Sequence, residues 1–79
     1  MMAEVVIDLS KYPDVSAFHA DIAQKLGFPD YYGKNLDALH DMISSMPPDR
    51  WQFTIFYGGT GIPHKQQVTI AKILLRRES

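Results

Sequence analysis

The sequence predicts an α/β domain, with a small parallel β-sheet and three or so helices. Two short runs rich in β-branched and aromatic residues, at 4–9 and 51–57, read as strands. Two segments of helical periodicity lie between them, and a segment that is apolar on most sides of a helical wheel follows the second run. Parallel strands need a crossover connection, and the intervening helices supply one.

The first strand carries the continuous run Val5-Val6-Ile7, which is expected to be buried on both faces. Residues 10–13 form a loop. Asp14 is placed to cap the first helix, because its carboxylate can accept a free amide proton of the first turn. Val15, Phe18, Ile22 and Leu26 then recur at helical spacing and cover one face within roughly 100° of arc. Gly27 ends this helix, since a left-handed residue costs least there. Residues 28–34 are a loop punctuated by Pro29 and Gly33. Asn35 caps the second helix, 36–45, and Pro47-Pro48 ends it. Trp51 opens the second strand and is expected to be core. Residues 58–63 are a turn-rich loop. The final segment, 68–75, fits a helix by its length, a start at Pro63 and the placing of Arg76-Arg77 near the C-terminal dipole. Its β-branched content also permits a strand.

Seventy-nine residues make a single domain, 1–79. A hydrophobic fraction of 46% and a charged fraction of 22% are those of a soluble globular protein, not of a disordered chain. With a net charge of −1 and no basic block, direct nucleic-acid binding is not expected, because phosphate contacts need clustered Lys and Arg. The chain lacks cysteine, so no disulfide supports it, which fits a reducing compartment. The residues after Met1 do not form a signal peptide, and no run is long enough to span a membrane. The cytoplasm is the expected location.

The second helix carries the informative chemistry. Leu36, Leu39, Met42, Ile43 and Met46 share one side of a helical wheel. Asp37, His40, Asp41 and Ser44 share the other. Asp37 and Asp41 are spaced i, i+4, and like charges there weaken an isolated helix by ~0.2–0.5 kcal/mol. Asp37 recovers part of this in the first turn, near the positive end of the dipole; Asp41 gains less. Tyr31, Tyr32 and Asn35 flank the pair. An acidic pair beside exposed aromatics suits a binder of a cationic cleft, where carboxylates occupy sites built for phosphates. The competing reading is a merely solvated face.

The run 29–41, Pro-Asp-Tyr-Tyr-Gly-Lys-Asn-Leu-Asp-Ala-Leu-His-Asp, closely resembles the signature segment of the barstar family of bacterial ribonuclease inhibitors. The resemblance is good over 4–57 and rests on element order beyond. It implies a barstar-like fold and a non-enzymatic inhibitor, or immunity protein, that blocks a small ribonuclease in a 1:1 complex. Asp41 would be the main anchor and Asp37 would reach a neighbouring basic group. Tyr31, Gly33 and Asn35 would contact the rim, with His40 and Ser44 packed beside the carboxylates. Three departures are visible. His40 stands where the family carries Trp, placing a titratable ring beside the acidic pair. The family's further interface Glu on the last helix has no match beside Lys72, Arg76 and Arg77, and Glu78 is too near the end. The family's final strand is missing after the last helix, so it is absent, rearranged or replaced by a partner chain on an open sheet edge, which would permit self-association.

Other residues carry weaker claims. His19, His40 and His64 lack the convergence a metal site needs, so neither metal nor cofactor is expected. His19 is placed at the boundary of the first helix's apolar face. Gly58-Gly59-Thr60-Gly61 lacks the Gly-Lys-Ser/Thr ending of a phosphate loop and reads as a turn. Asp37, Asp41 and His40 as a hydrolytic set would need a pocket with unequal environments. A regulatory module using the same helix on a non-nuclease partner is the alternative function.

Overall fold

A computed structural model describes residues 3–47 and 50–75. The expectations for Pro48, Arg76, Arg77 and Glu78 lie outside those residues. Strand β1 (Ala3–Asp8) is followed by a 3-10 turn (Leu9–Lys11), α1 (Val15–Leu26), α2 (Leu36–Ser44), β2 (Trp51–Phe56) and α3 (His64–Leu75). β1 and β2 pair in parallel, from Ala3 opposite Trp51 to Asp8 opposite Phe56. This is the α/β architecture the element order implied, and the last described segment is a helix.

The sheet corrects one expectation. Val5 and Ile7 are buried, whereas Glu4 and Val6 are exposed, Val6 by 52%. The register sets Val5 beside Phe53 and Ile7 beside Ile55 on the covered face. Val6 pairs with Thr54 on the open one, and Phe56 beside Asp8 is exposed as well. A continuous β-branched run thus behaves here as an alternating strand, because among the described residues only one face of the sheet is covered. Trp51 is half-buried at the margin of the core, with the Arg50 guanidinium 5.5 Å from its ring centre.

α1 begins where expected: the Asp14 carboxylate accepts from Ala17 N at 2.8 Å. It ends at Gly27, whose left-handed φ of 71° lets its N–H reach the Ala23 carbonyl. Phe18, His19, Ile22 and Leu26 are its buried residues, and Val15 is half-buried. His19 is therefore inside the protein rather than at a boundary.

α3 starts after Pro63, whose carbonyl accepts from Gln66 N and Gln67 N at 2.9 and 3.0 Å. Gln67, Ile70, Ala71 and Leu74 face inward. The buried Gln67 amide holds the preceding loop. Its Oε1 accepts from Gly58 N, and its Nε2 donates to the Gly58 and Ile62 carbonyls, each at 2.9 Å. The glycine-rich loop is a turn. A Cβ on Gly59 would lie 2.7 Å from the Ser10 carbonyl oxygen, and one on Gly61 would overlap that of Tyr12. Glycine lets the loop close on the 10–12 backbone. Ile7, Leu9, Phe18, Ile22, Leu39, Ile62 and Ile70 form the fully buried centre that α2 packs against.

Candidate functional site

α2 is held by its own amphipathicity. Leu39 and Ile43 are buried, and Leu36, Met42 and Met46 pack partly against the core. Asp37, His40, Asp41 and Ser44 are all exposed on the opposite side. The wheel therefore separates the two faces correctly, although the helix itself ends at Ser44, with Ser45 as its C-cap. The two carboxylates stand on an outward surface, Asp37 in the first turn and Asp41 one turn further on.

The loop before α2 is shaped by one side chain. Asn35 Oδ1 accepts from Ala38 N at 2.7 Å, and Asn35 Nδ2 donates to the Gly33 carbonyl at 3.3 Å. The N-cap thus joins the loop to the first turn. A Cβ on Gly33 would sit 3.3 Å from Asn35 Nδ2 and 3.4 Å from Ala38 Cβ, so a larger residue would crowd the cap. Lys34 between them has φ 54°, the one left-handed non-glycine backbone among the described residues. This geometry costs an L-residue about 1–2 kcal/mol and is held by the surrounding cap.

The two tyrosines part company. Tyr31 is 84% exposed, beside the acidic face. Tyr32, grouped with it on sequence grounds as a contact residue, is buried at 6%. Its hydroxyl lies 2.6 Å from His19 Nδ1, so the loop is tied to α1 across thirteen positions. The Phe28 ring adds a contact 4.8 Å from the Tyr32 ring. Burial lowers the His19 pKa and pushes the Tyr32 phenol up to about 12, favouring the neutral form of each. Tyr32 thus positions the loop from inside, and Tyr31 is left to the surface.

An open cleft of about 330 Å³ lies beside Asp37, between α1, the start of α2 and α3. Val15, His19, Lys34 and Gln66 line it along with Asn35, Leu36 and Asp37. Of these, Val15, His19, Lys34 and Gln66 are not among the partner-binding residues that the sequence suggests. His19 did leave a signal: at 100° per residue it falls roughly 20° beyond Leu26, at the edge of the apolar arc. Gln66 left none, because its nearness to Asp37 depends on how α3 packs. Among the described residues no three His, Asp or Glu side chains converge as metal ligands, and no helix is long and apolar enough to cross a membrane.

A family model described as "Barstar (barnase inhibitor)" matches residues 2–74. The chain belongs to the barstar family. A Bacillus subtilis (strain 168) relative, named "Putative ribonuclease inhibitor YrdF", is 44% identical over 43 residues. That stretch is 54% of this chain and 47% of the relative, so the match spans about half the relative's length. No solved structure gives a significant match. In this barstar-family chain, the signature segment is the Asn35-capped loop and the start of α2, the part whose backbone the cap and the His19–Tyr32 bond restrain most closely.

Proposed function

We propose that this protein inhibits a small bacterial ribonuclease, covering the enzyme's basic active site with the exposed face of α2 and the loop before it. The observation that carries the reading is the outward acidic pair Asp37 and Asp41, displayed by a barstar-family helix whose other face is anchored in the core. Asp41 is the central anchor, answering basic groups that ordinarily hold phosphate, and Asp37 reaches a second one. His40 and Ser44 pack alongside. Tyr31, Gly33 and Asn35 meet the rim, Tyr31 as a large rigid contact and Asn35 chiefly by holding the loop. On this reading the protein is a 1:1 binder without cofactor or catalytic turnover, and it acts in the bacterial cytoplasm as an immunity factor.

The test is RNA cleavage by a panel of small bacterial ribonucleases with and without the purified protein. At least one enzyme is expected to be inhibited stoichiometrically. Asp41→Ala should weaken that complex by ~30-fold or more, the size of a central charged anchor, while Gln24→Ala on exposed α1 leaves it unchanged. Equal effects of the two substitutions, or an uninhibited panel, would overturn the reading. Capture of a non-nuclease partner through the same face would replace it with the regulatory alternative.

A further inference from the structure

The cleft beside Asp37 holds polar groups that the fold does not use. Tyr32 occupies His19 Nδ1. Of the two groups the phenol is the stronger acid and the imidazole nitrogen the stronger base, so we assign the O–H as donor to Nδ1. The ring is neutral, consistent with its burial, and its proton sits on Nε2. His19 is 99% buried and lines the cleft, and with Nδ1 taken by Tyr32 the Nε2–H is the donor its ring has left to offer there. Lys34, Asp37 and Gln66 line the same space, and none of their charged or amide groups has a hydrogen bond or ion pair among the described residues. Asn35 adds nothing, because both ends of its amide are spent on Ala38 and Gly33.

We propose that this cleft is a specificity subsite that receives a carboxamide side chain, Asn or Gln, of the bound ribonuclease. The proposal rests on the inhibitor reading and adds a contact at the Asp37 edge of the acidic face. The lining selects the group. A carboxylate entering the cleft would meet Asp37, and an ammonium would meet Lys34 and the His19 N–H; either leaves a like charge or an opposed donor. A carboxamide offers an oxygen to His19 and Lys34 and an NH₂ to Asp37 and Gln66, so each group of the lining finds its complement. The cleft holds about ten water volumes, enough for such a side chain with retained water. Val15 and Leu36 supply apolar contact for its methylene stem. The subsite adjoins the rim residues Asn35 and Asp37, so it is covered when the α2 face is engaged.

Two measurements test this. First, the isotope-labelled free protein is titrated by NMR with acetamide, sodium acetate and methylammonium chloride at matched ionic strength. Acetamide should shift the His19 ring nitrogens and the Gln66 side-chain amide severalfold more than either ion. An equal or greater response to an ion overturns the proposal. Second, Gln66→Ala and Lys34→Gln are made in the intact protein and assayed against a panel ribonuclease that the protein inhibits. Both replace side chains without partners, so thermal stability should hold. Each should weaken the complex about 5–20-fold. If Asp41→Ala weakens it and neither cleft substitution does, the subsite fails and the inhibitor reading stands. If no ribonuclease is inhibited, the reading falls and the subsite with it.

Discussion

His19 shows how one residue ties stability to pH. Burial holds its ring neutral, with a pKa below the ordinary value of about 6.5. In the unfolded chain the ring titrates normally. As pH falls below about 6.5, the unfolded state takes up a proton that the folded state resists, so the His19 contribution is fully present above that pH and is lost as pH falls through the folded pKa. The urea midpoint should therefore drop between pH 7.5 and pH 5.5, and by less in His19→Gln. Tyr32 acts at the opposite end. Its folded pKa of about 12 keeps its contribution whole below pH ~10 and removes it above. The contribution of Asn35 to stability is local: Asn35→Ala removes the α2 cap and should cost about 1 kcal/mol in urea denaturation. The cap was legible from residue type and position. The His19–Tyr32 bond was not, because it joins two elements whose approach no local pattern encodes.

At the scale of the element, the function proposed for α2 is set against its stability. Asp37 and Asp41 repel at i, i+4 on an exposed face, and Asp41 is too far from the helix start to gain much from the dipole. Asp41→Asn should leave the helix in place and raise the thermal midpoint slightly, while reducing ribonuclease inhibition sharply. A parallel loss of both would mean that Asp41 supports the fold. The inward face behaves conversely. Leu39 is fully buried, and Leu39→Ala should cost about 2–5 kcal/mol through lost contacts and a cavity. Both faces were legible from the 3.6-residue period alone. β1 was misread because the same apolar run serves a strand covered on one side or two, and the number of covering layers is a property of the whole sheet.

For the whole molecule, two features belong to no single element. One is the Gln67 clamp, which satisfies Gly58 and Ile62 from the first turns of α3. Gln67→Ala strands those backbone groups and should destabilise the fold by on the order of 3 kcal/mol, seen as a lower urea midpoint. The other is the placing of an acidic face on a protein of near-neutral net charge, −1. On the proposed reading, attraction to a basic cleft comes from the face and not from the overall charge. The association rate with an inhibited ribonuclease should fall steeply between 50 and 500 mM salt (~14 to ~4 Å of screening length) while dissociation changes little. An on-rate indifferent to salt would contradict electrostatic docking through α2. Both strands are also sheet edges among the described residues, each with an unpaired row of backbone groups.

Sequence by itself determined the order of the two strands and the two helices between them, the caps at Asp14, Gly27 and Asn35, the division of α2 into a core face and an acidic face, and the family to which the signature segment belongs. These are short-range properties: hydrophobic period, capping chemistry and a contiguous motif act within a few residues of chain. Tertiary structure decided that Tyr32 is inside while Tyr31 is outside, that His19 braces the loop, that one face of the sheet stays open, and that Gln66 and Lys34 share a cleft with Asp37. Each depends on where separate elements come to rest against one another. That is set by the packing of the core as a whole, in which residues far apart in the chain compete for the same buried space.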